Sequence, residues 1–228
     1  MVSITTTILS LGGSLIVPNE IDIEFLKHFR MLVLNFIQKK NRLAIVCGGG
    51  MTCRRYQDAA KRITSLKDPD PDWIGIMTTR LNAELVRTLF TEQAYEKVVY
   101  DPTVKLTTRK NLIIGAGWQP GCTTDNDSVL FAENIKASKI INMTNIDYVY
   151  NKDPKKFPDA KPIKNITWND FRAIIGNIHS PGINVPFDPV ASKKAQQLRL
   201  TVIIINGKNL QNLDKCLAGK EFIGTVIA

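Results

Sequence analysis

The 228-residue sequence is poor in the residues that build metal sites and disulfide frameworks. It contains four cysteines and two histidines, and no two cysteines form a C-x-x-C pair. A zinc site needs clustered ligands, so the sequence predicts no protein-ligated metal. Without an export signal, a disulfide framework is not expected in a domain of this size.

Long apolar runs and a basic leader are also missing. No run approaches the ~20 apolar residues that span a bilayer. Residues 1–7 carry no lysine or arginine, whereas a signal peptide begins with a basic region. We therefore expect a cytoplasmic protein with no membrane contact.

The charge is unbalanced towards lysine and arginine. The 30 basic and 21 acidic residues give a formal net charge of +9, which favours anionic partners. The basic residues occur singly or in pairs and are not interleaved with aromatic residues, as a nucleic-acid-binding face usually requires. We expect small phosphorylated ligands and no nucleic acid. A nucleic-acid-binding protein stays open as an alternative that rests on the charge alone.

Strand-like apolar segments alternate with amphipathic, helix-like segments along the chain. Such alternation is typical of a mostly parallel sheet with helices on both faces. We predict an α/β fold, a three-layer α/β/α sandwich that forms one domain over residues 1–228. The predicted strands are residues 4–11, 42–47, 98–100, 111–115, 138–143, 201–206 and 224–227. The predicted helices are residues 21–39, 52–66, 72–90, 123–137, 188–198 and 209–217.

Glycine clusters follow the first two predicted strands, at residues 12–13 and 48–50. Glycine lets the backbone approach a ligand without a Cβ in the way, and backbone N–H groups at a helix start favour phosphate. A tight strand–helix turn explains either cluster equally well. Two clusters in one short chain favour phosphate binding, although neither has the Walker or G-x-G-x-x-G pattern.

Two further polar segments follow predicted strands. Residues 115–125 are glycine-rich and end at a predicted helix start, where Thr123 and Thr124 can cap the helix or bind an oxyanion. Asp125 can simply offset the helix dipole there. Residues 144–156 bring hydroxyls, carboxylates, aromatic rings and cations into one loop, for which a solvated turn is the alternative.

The order of these motifs resembles the uridylate (UMP) kinases, specifically the archaeal-type branch of the amino acid kinase superfamily. Each motif alone is weak, whereas the whole set in order at the family's spacing is a strong signal. The segments that carry the resemblance are residues 11–14, 48–56, 72–83, 119–125, 144–150, 153–156, 187–191 and 219–225.

The resemblance implies the amino acid kinase fold and transfer of the γ-phosphoryl group of ATP to UMP in pyrimidine biosynthesis. It also implies Mg²⁺ and a homohexamer. In-line transfer needs no covalent intermediate. The implied catalytic residues are Lys155, Asp125, Gly12 and Gly13. The implied acceptor-binding residues are Gly49, Gly50, Arg54, Asp72, Trp118, Gln119, Cys122, Thr123 and Thr124. The implied ATP-binding residues are Ser10, Gly13, Ser14, Thr144, Asn145, Tyr150 and Asp153.

Specific roles follow from the same resemblance. Arg54 would grip the acceptor phosphate, since guanidinium suits a phosphate fork. Asp72 would bind the acceptor ribose, although it can also cap the following helix. Asp125 would orient the catalytic cations, and Lys155 would be the cation on the ATP side.

The sequence departs from the family at several of these positions. Ser10 stands where many members have a lysine, and Lys152 or Arg54 are candidates to replace that cation. Trp118, Cys122, Tyr148 and the polar pair at residues 126–127 change the expected binding loops. A kinase of another small phosphorylated acceptor and a non-catalytic nucleotide-binding or storage protein therefore stay open as alternatives.

Overall fold

The computed structural model describes residues 6–176 and 185–228. Its strands are β1 (Thr6–Leu11), β2 (Arg42–Cys47), β3 (Leu112–Gly115), β4 (Lys139–Thr144), β5 (Val149–Tyr150), β6 (Pro162–Ile163), β7 (Asn165–Ile166), β8 (Thr201–Asn206) and β9 (Thr225–Ile227). Its helices are α1 (Gly13–Ile16), α2 (Ile23–Gln38), α3 (Gly50–Ile63), α4 (Asp70–Thr88), α5 (Thr124–Asn134), α6 (Trp168–Ile175), α7 (Pro189–Gln197) and α8 (Leu210–Leu217).

The central sheet has seven strands in the order β3-β2-β1-β4-β8-β9-β7. The pairs β3–β2, β2–β1, β1–β4, β4–β8 and β9–β7 are parallel, and only β8–β9 is antiparallel within this sheet. The mostly parallel sheet is thus confirmed. β5 and β6 form a separate antiparallel pair.

Two apolar cores lie on opposite faces of the sheet. Successive residues of β1 show this, since Ile8 belongs to one core and Leu9 to the other, as the alternation of side chains along a strand requires. Helices α2, α4 and α8 contribute to the core that contains Leu9, whereas α5, α6 and α7 contribute to the core that contains Ile8. The predicted three-layer sandwich is therefore confirmed.

Parallel strands place their carboxyl ends, and the loops that follow them, at one edge of the sheet. The glycine clusters follow β1 and β2, the loop at residues 116–123 follows β3, and the polar segment after residue 144 follows β4. Most of the binding residues that the sequence predicts lie in or directly after these four segments, whereas Asp72 lies on α4.

Some local predictions were wrong. Residues 98–100 form only an isolated parallel bridge, between Val99 and Gly115, because this segment lies beside the short edge strand β3. Helix α1 and the elements β5, β6, β7 and α6 were not predicted, and α3 and α4 each begin two residues earlier than expected. Residues 4 and 5 of the first predicted strand lie outside the described residues.

Among the residues that the structure describes, none of the helices is long and apolar enough to cross a bilayer.

Candidate active site

The two glycine loops lie directly against each other. A Cβ on Gly13 would overlap the backbone N of Gly50, and a Cβ on Gly12 would lie 2.8 Å from the carbonyl oxygen of Met143. Gly50 also has φ +66°, in the left-handed region that favours glycine. Glycine is therefore sterically required at these positions. The backbone groups at the starts of α1 and α3 lie at the carboxyl-end edge of the sheet.

A buried asparagine from α4 holds the second glycine loop. The Asn82 Nδ2 donates to the carbonyl oxygens of Gly48 (2.8 Å) and Gly49 (3.1 Å), and Asn82 is 4% exposed. These bonds satisfy carbonyls that a tight turn would otherwise leave unpaired. Asn82 thereby fixes the loop from behind, a role that the sequence analysis did not assign.

A cleft of about 540 Å³ opens beside the glycine loops, between α3, α4 and the start of α5. Six of the predicted acceptor-binding residues line it together: Gly49, Gly50, Arg54, Asp72, Cys122 and Thr124. The other lining residues are Cys53, Gln57, Asp58, Lys61, Pro71, Gly75, Ile76, Thr79, Gly117 and Asp127.

Asp72 joins α4 to the loop after β3. Its Oδ2 accepts a hydrogen bond of 2.8 Å from the backbone N–H of Gly121. The expectation that Asp72 caps α4 is wrong, because the helix begins at Asp70 and Pro69 is its N-cap residue. The exposed carboxylate stays at the cleft, where a hydroxyl-bearing ligand can reach it.

Gly117 lines the cleft, and it is followed directly by Trp118. The N–H of Gly117 donates to Thr79 Oγ1 (2.8 Å), and its carbonyl accepts from Arg80 Nε (3.3 Å). The N–H of Trp118 donates to Asp127 Oδ2 (3.3 Å), and its carbonyl accepts from Arg80 Nη2 (3.0 Å). Three side chains from α4 and α5 thus bind all four polar groups of this backbone segment.

Asp127 is unusual among the cleft residues because it exposes none of its surface. Its Oδ1 has no hydrogen-bond partner among residues 6–176 and 185–228. The pKa of Asp127 is raised to about 7: burial raises it most and the charge of Asp125 also raises it, while the Trp118 N–H and Arg80 lower it. The sequence marked this position only as unexpectedly polar.

Asp125 connects the start of α5 to the start of α7. Its Oδ2 accepts from the backbone N–H of Asp188 (3.0 Å), and Thr123 caps α5 by accepting from the N–H of Asn126 (3.2 Å). Burial raises the pKa of Asp125 to about 7, with a further contribution from the charge of Asp188. A carboxyl bound to a neighbouring backbone does more than offset a helix dipole, since it ties two elements together.

The loop expected to bind ATP lies beyond β4. Thr144 Oγ1 accepts from the N–H of Ile146 (3.2 Å) and so shapes the turn. Asp153 Oδ1 accepts from the backbone N–H of Lys155 (3.0 Å). Asn145 and the Lys155 side chain are exposed. No hydrogen bond or ion pair of the described residues joins the Lys155 ammonium to the glycine loops.

The remaining predicted residues are dispersed around this framework. Ser10 is buried in β1, where its neighbours across the strands are Val46 and Asn142. Lys152, a candidate replacement for the missing cation, is held in an ion pair of 2.6 Å with Asp159. The other predicted positions do not line the cleft: Gly12, Gly13, Ser14, Trp118, Gln119, Thr123 and Tyr150.

Comparisons with known proteins agree with this architecture. The sequence profile of the amino acid kinase family matches residues 5–206. A protein named uridylate kinase from Thermococcus kodakarensis is 35% identical over 223 residues, which are 96% of this chain and 98% of the relative. One from Sulfolobus acidocaldarius is 34% identical over 209 residues, which are 90% and 91% of the two chains.

Solved structures lead to the same group. The crystal structure of a uridylate kinase from Archaeoglobus fulgidus has a TM-score of 0.83 and 33% identity, and the match covers 97% of this chain and 99% of that one. A UMP kinase from Bacillus anthracis, with 22% identity and a TM-score of 0.77, shares the fold. This chain belongs to the amino acid kinase family, within the group of relatives named uridylate kinase.

Proposed function

We propose that the protein transfers the γ-phosphoryl group of ATP to UMP, giving ADP and UDP. The observation that carries this proposal is the cleft in which Gly49 and Gly50 of the second glycine loop, Arg54 and Asp72 lie side by side, with the first glycine loop packed against the second. That set offers backbone donors and a cation for phosphate, and a carboxylate for sugar hydroxyls. The relatives named uridylate kinase, similar over nearly the whole chain, support the choice of acceptor.

The proposed mechanism relies on positioning and charge. The amides of the glycine loops hold the transferring phosphoryl group, Arg54 binds the acceptor phosphate and Asp72 binds its ribose. A phosphate monoester has its second pKa at about 6, so the attacking oxygen is already mostly ionised at neutral pH and no general base is needed. We propose that Mg²⁺ enters as part of the ATP complex and that Lys155 offsets charge on the ATP side.

The test is an assay of ADP release with Mg²⁺-ATP and each nucleoside monophosphate in turn. We expect turnover with UMP at a higher kcat/KM than with CMP, AMP or GMP. Turnover of a different small phosphorylated acceptor alone would overturn the choice of UMP.

A non-catalytic nucleotide-binding protein is the second candidate, and the buried Ser10 favours it. A serine in β1 cannot supply the transition-state cation that a lysine there would provide. ATP binding measured by calorimetry, together with no turnover of any monophosphate, would select this candidate.

We also propose that the protein is a cytoplasmic homo-oligomer, a hexamer by analogy with the family, built from single-domain chains. Trp73, Met77 and Leu81 recur every four residues on α4 and are 45%, 58% and 64% exposed. An apolar stripe on one helix face is suited to pairing with a second copy. Light scattering of the wild type and of Met77→Glu would test this, with a smaller assembly expected for the variant.

A further inference from the structure

Two buried polar side chains lie side by side at the carboxyl ends of the central strands. Ser10 of β1 and Asn142 of β4 are neighbours in the parallel register and are 3% and 5% exposed. Each follows an apolar core residue on the same face of its strand, Ile8 in β1 and Ile140 in β4, because alternate residues of a strand share a face. The pair therefore forms a polar end to the core that contains Ile8.

Both residues present an oxygen that has no hydrogen-bond partner. The Asn142 Nδ2 donates to the carbonyl oxygen of Pro186 (3.1 Å), and this bond fixes which end of the amide is the oxygen. Among residues 6–176 and 185–228, no hydrogen bond reaches Asn142 Oδ1 or Ser10 Oγ. Neither oxygen is completely sealed from solvent, so a small ligand can reach them.

Asp125 is a third oxygen donor at this end of the core. It precedes Val129, a residue of the same core, by one turn of α5, so the two side chains lie on one face of the helix. Its Oδ2 accepts from the N–H of Asp188 (3.0 Å), two residues after the Pro186 carbonyl that Asn142 binds. Asp125 and Asn142 thus hold the same three-residue segment and both lie next to it.

The Asp125 carboxylate has no positively charged partner in the part of the chain that the structure describes. Burial raises its pKa and so does the charge of Asp188, while only a backbone N–H opposes them. No lysine or arginine of the described ranges forms an ion pair with Asp125. Buried charges in proteins are normally paired or bound to a metal ion. The three side chains therefore offer oxygen atoms and one negative charge that nothing described balances.

This donor set suits a small monovalent cation. The described residues contain no cluster of three or more histidine, cysteine, aspartate or glutamate side chains for another kind of metal site, whereas neutral protein oxygens can replace the hydration shell of K⁺. One carboxylate balances one positive charge. Resting on the proposed function, we propose that Ser10, Asn142 and Asp125 bind a monovalent cation such as K⁺, which takes the place of the ammonium that a lysine in β1 would supply.

The position of the site indicates what the cation does. Gly12 follows Ser10 by two residues, and its N–H donates to the carbonyl oxygen of Met143, the residue after Asn142 (3.3 Å). The cation therefore lies next to the glycine loops, which hold the transferring phosphoryl group in the proposed mechanism. A fixed positive charge at this place offsets the negative charge that develops during transfer.

The experiment compares four chloride salts at constant ionic strength and saturating Mg²⁺-ATP and UMP, with both nucleotides as tetramethylammonium salts. KCl, NaCl and NH₄Cl supply small cations, whereas the methyl groups of tetramethylammonium keep its charge away from oxygen ligands. The variants are Ser10→Ala and Ser10→Lys. Thr7→Val is the matched control, since it removes another buried hydroxyl from β1, on the opposite face of the strand. The measurements are kcat and the melting temperature of each nucleotide-free protein.

We expect the wild-type kcat to be at least about 10-fold higher with one of the small cations than with tetramethylammonium. The same cation should raise the melting temperature. Ser10→Ala should need about 10- to 100-fold more of it for half-maximal activity, the range for loss of a contact with a charged group. Ser10→Lys should turn over UMP at a rate that does not depend on the salt, and its melting temperature should not respond. Thr7→Val should respond as the wild type does.

Two results would overturn the inference and leave the proposed function intact. One is equal turnover of UMP by the wild type in all four salts. The other is the same cation response in the wild type and in both Ser10 variants, which places the cation elsewhere. If Ser10→Lys does not fold, its melting curve shows this and Ser10→Ala decides between these outcomes.

A wild type that phosphorylates UMP in none of the salts would instead refute the proposed function. The melting temperatures then test the cation site alone. A response to a small cation that is present in the wild type and in Thr7→Val but weakened in Ser10→Ala supports the site, and the absence of any response refutes it.

Discussion

Replacement of Asp127 by asparagine should stabilise the protein at alkaline pH and not at acidic pH. Burial raises the pKa of this carboxyl from its ordinary value of 3.8 to about 7. Between those values the folded protein holds a proton that the unfolded chain has released. The free energy of unfolding therefore falls as the pH rises through this window, because deprotonation favours the unfolded chain.

The size of the effect follows from the shift. About three pH units at about 1.4 kcal/mol each give an upper limit of about 4 kcal/mol at pH values above the folded pKa. The charged groups that face this carboxyl are Arg80, which favours its ionised form, and Asp125, which opposes it. The thiol of Cys122 lies nearby, and burial raises its pKa too, so it stays neutral at these pH values. Asparagine has nearly the same shape and does not titrate.

The assay is urea unfolding of the wild type and Asp127→Asn at pH 5, 6, 7 and 8.5. We expect a difference under about 1 kcal/mol at pH 5, and a variant more stable by about 1–4 kcal/mol at pH 8.5. Taking the difference between the two proteins cancels the titration of other groups. Asp214→Asn, at an exposed position on α8, is the control and should show no such trend. A variant that is less stable at pH 8.5, or a difference that does not depend on pH, would refute the reasoning.

Three further predictions concern other parts of the site. Asn82→Ala should lower the free energy of unfolding by about 1–3 kcal/mol in urea titrations, because two loop carbonyls lose a buried donor; an unchanged midpoint would contradict this. Arg54→Ala should raise the KM for UMP by about 10- to 100-fold with kcat nearly unchanged, whereas Arg55→Ala, outside the cleft, should not. Lys155→Ala should lower kcat by about 100- to 1000-fold in steady-state assays, with the neighbouring Lys156→Ala as control; full turnover in Lys155→Ala would remove this residue from the mechanism.

The sheet was predictable wherever a strand is a long apolar run with clear ends. β2 and β8 were predicted with the bounds that the structure has, because each is six residues of mostly apolar character beside glycine or polar residues. β5, β6 and β7 have two residues each, too few for any periodicity. α6 carried a signal that was overlooked, since Thr167 caps it and bonds to Asp170 three residues on.

The glycine loops were predicted from their position after β1 and β2, whereas Arg54 and Asp72 were predicted from the resemblance to the family. Of these residues, Gly49, Gly50, Arg54 and Asp72 line one cleft, and their roles stay predictions. Asn82 and Arg80 were not identified, because their partners lie 33 to 38 residues away in the chain. Helical periodicity shows which face of α4 is buried, but it does not show which backbone groups a buried polar side chain will meet.

Asp127 combines a signal that the sequence showed, an unexpected polar residue, with contacts that only the structure shows. A buried carboxyl without a full set of partners weakens the fold at neutral and alkaline pH. Retention of such a group is typical of functional sites, where stability is exchanged for positioning. A purely structural residue would lose stability and activity together on replacement. We instead expect Asp127→Asn to gain stability at pH 8.5 while its kcat/KM for UMP falls, because the carboxyl lines the cleft. If both quantities rise or both fall, the carboxyl is not a functional residue of the cleft.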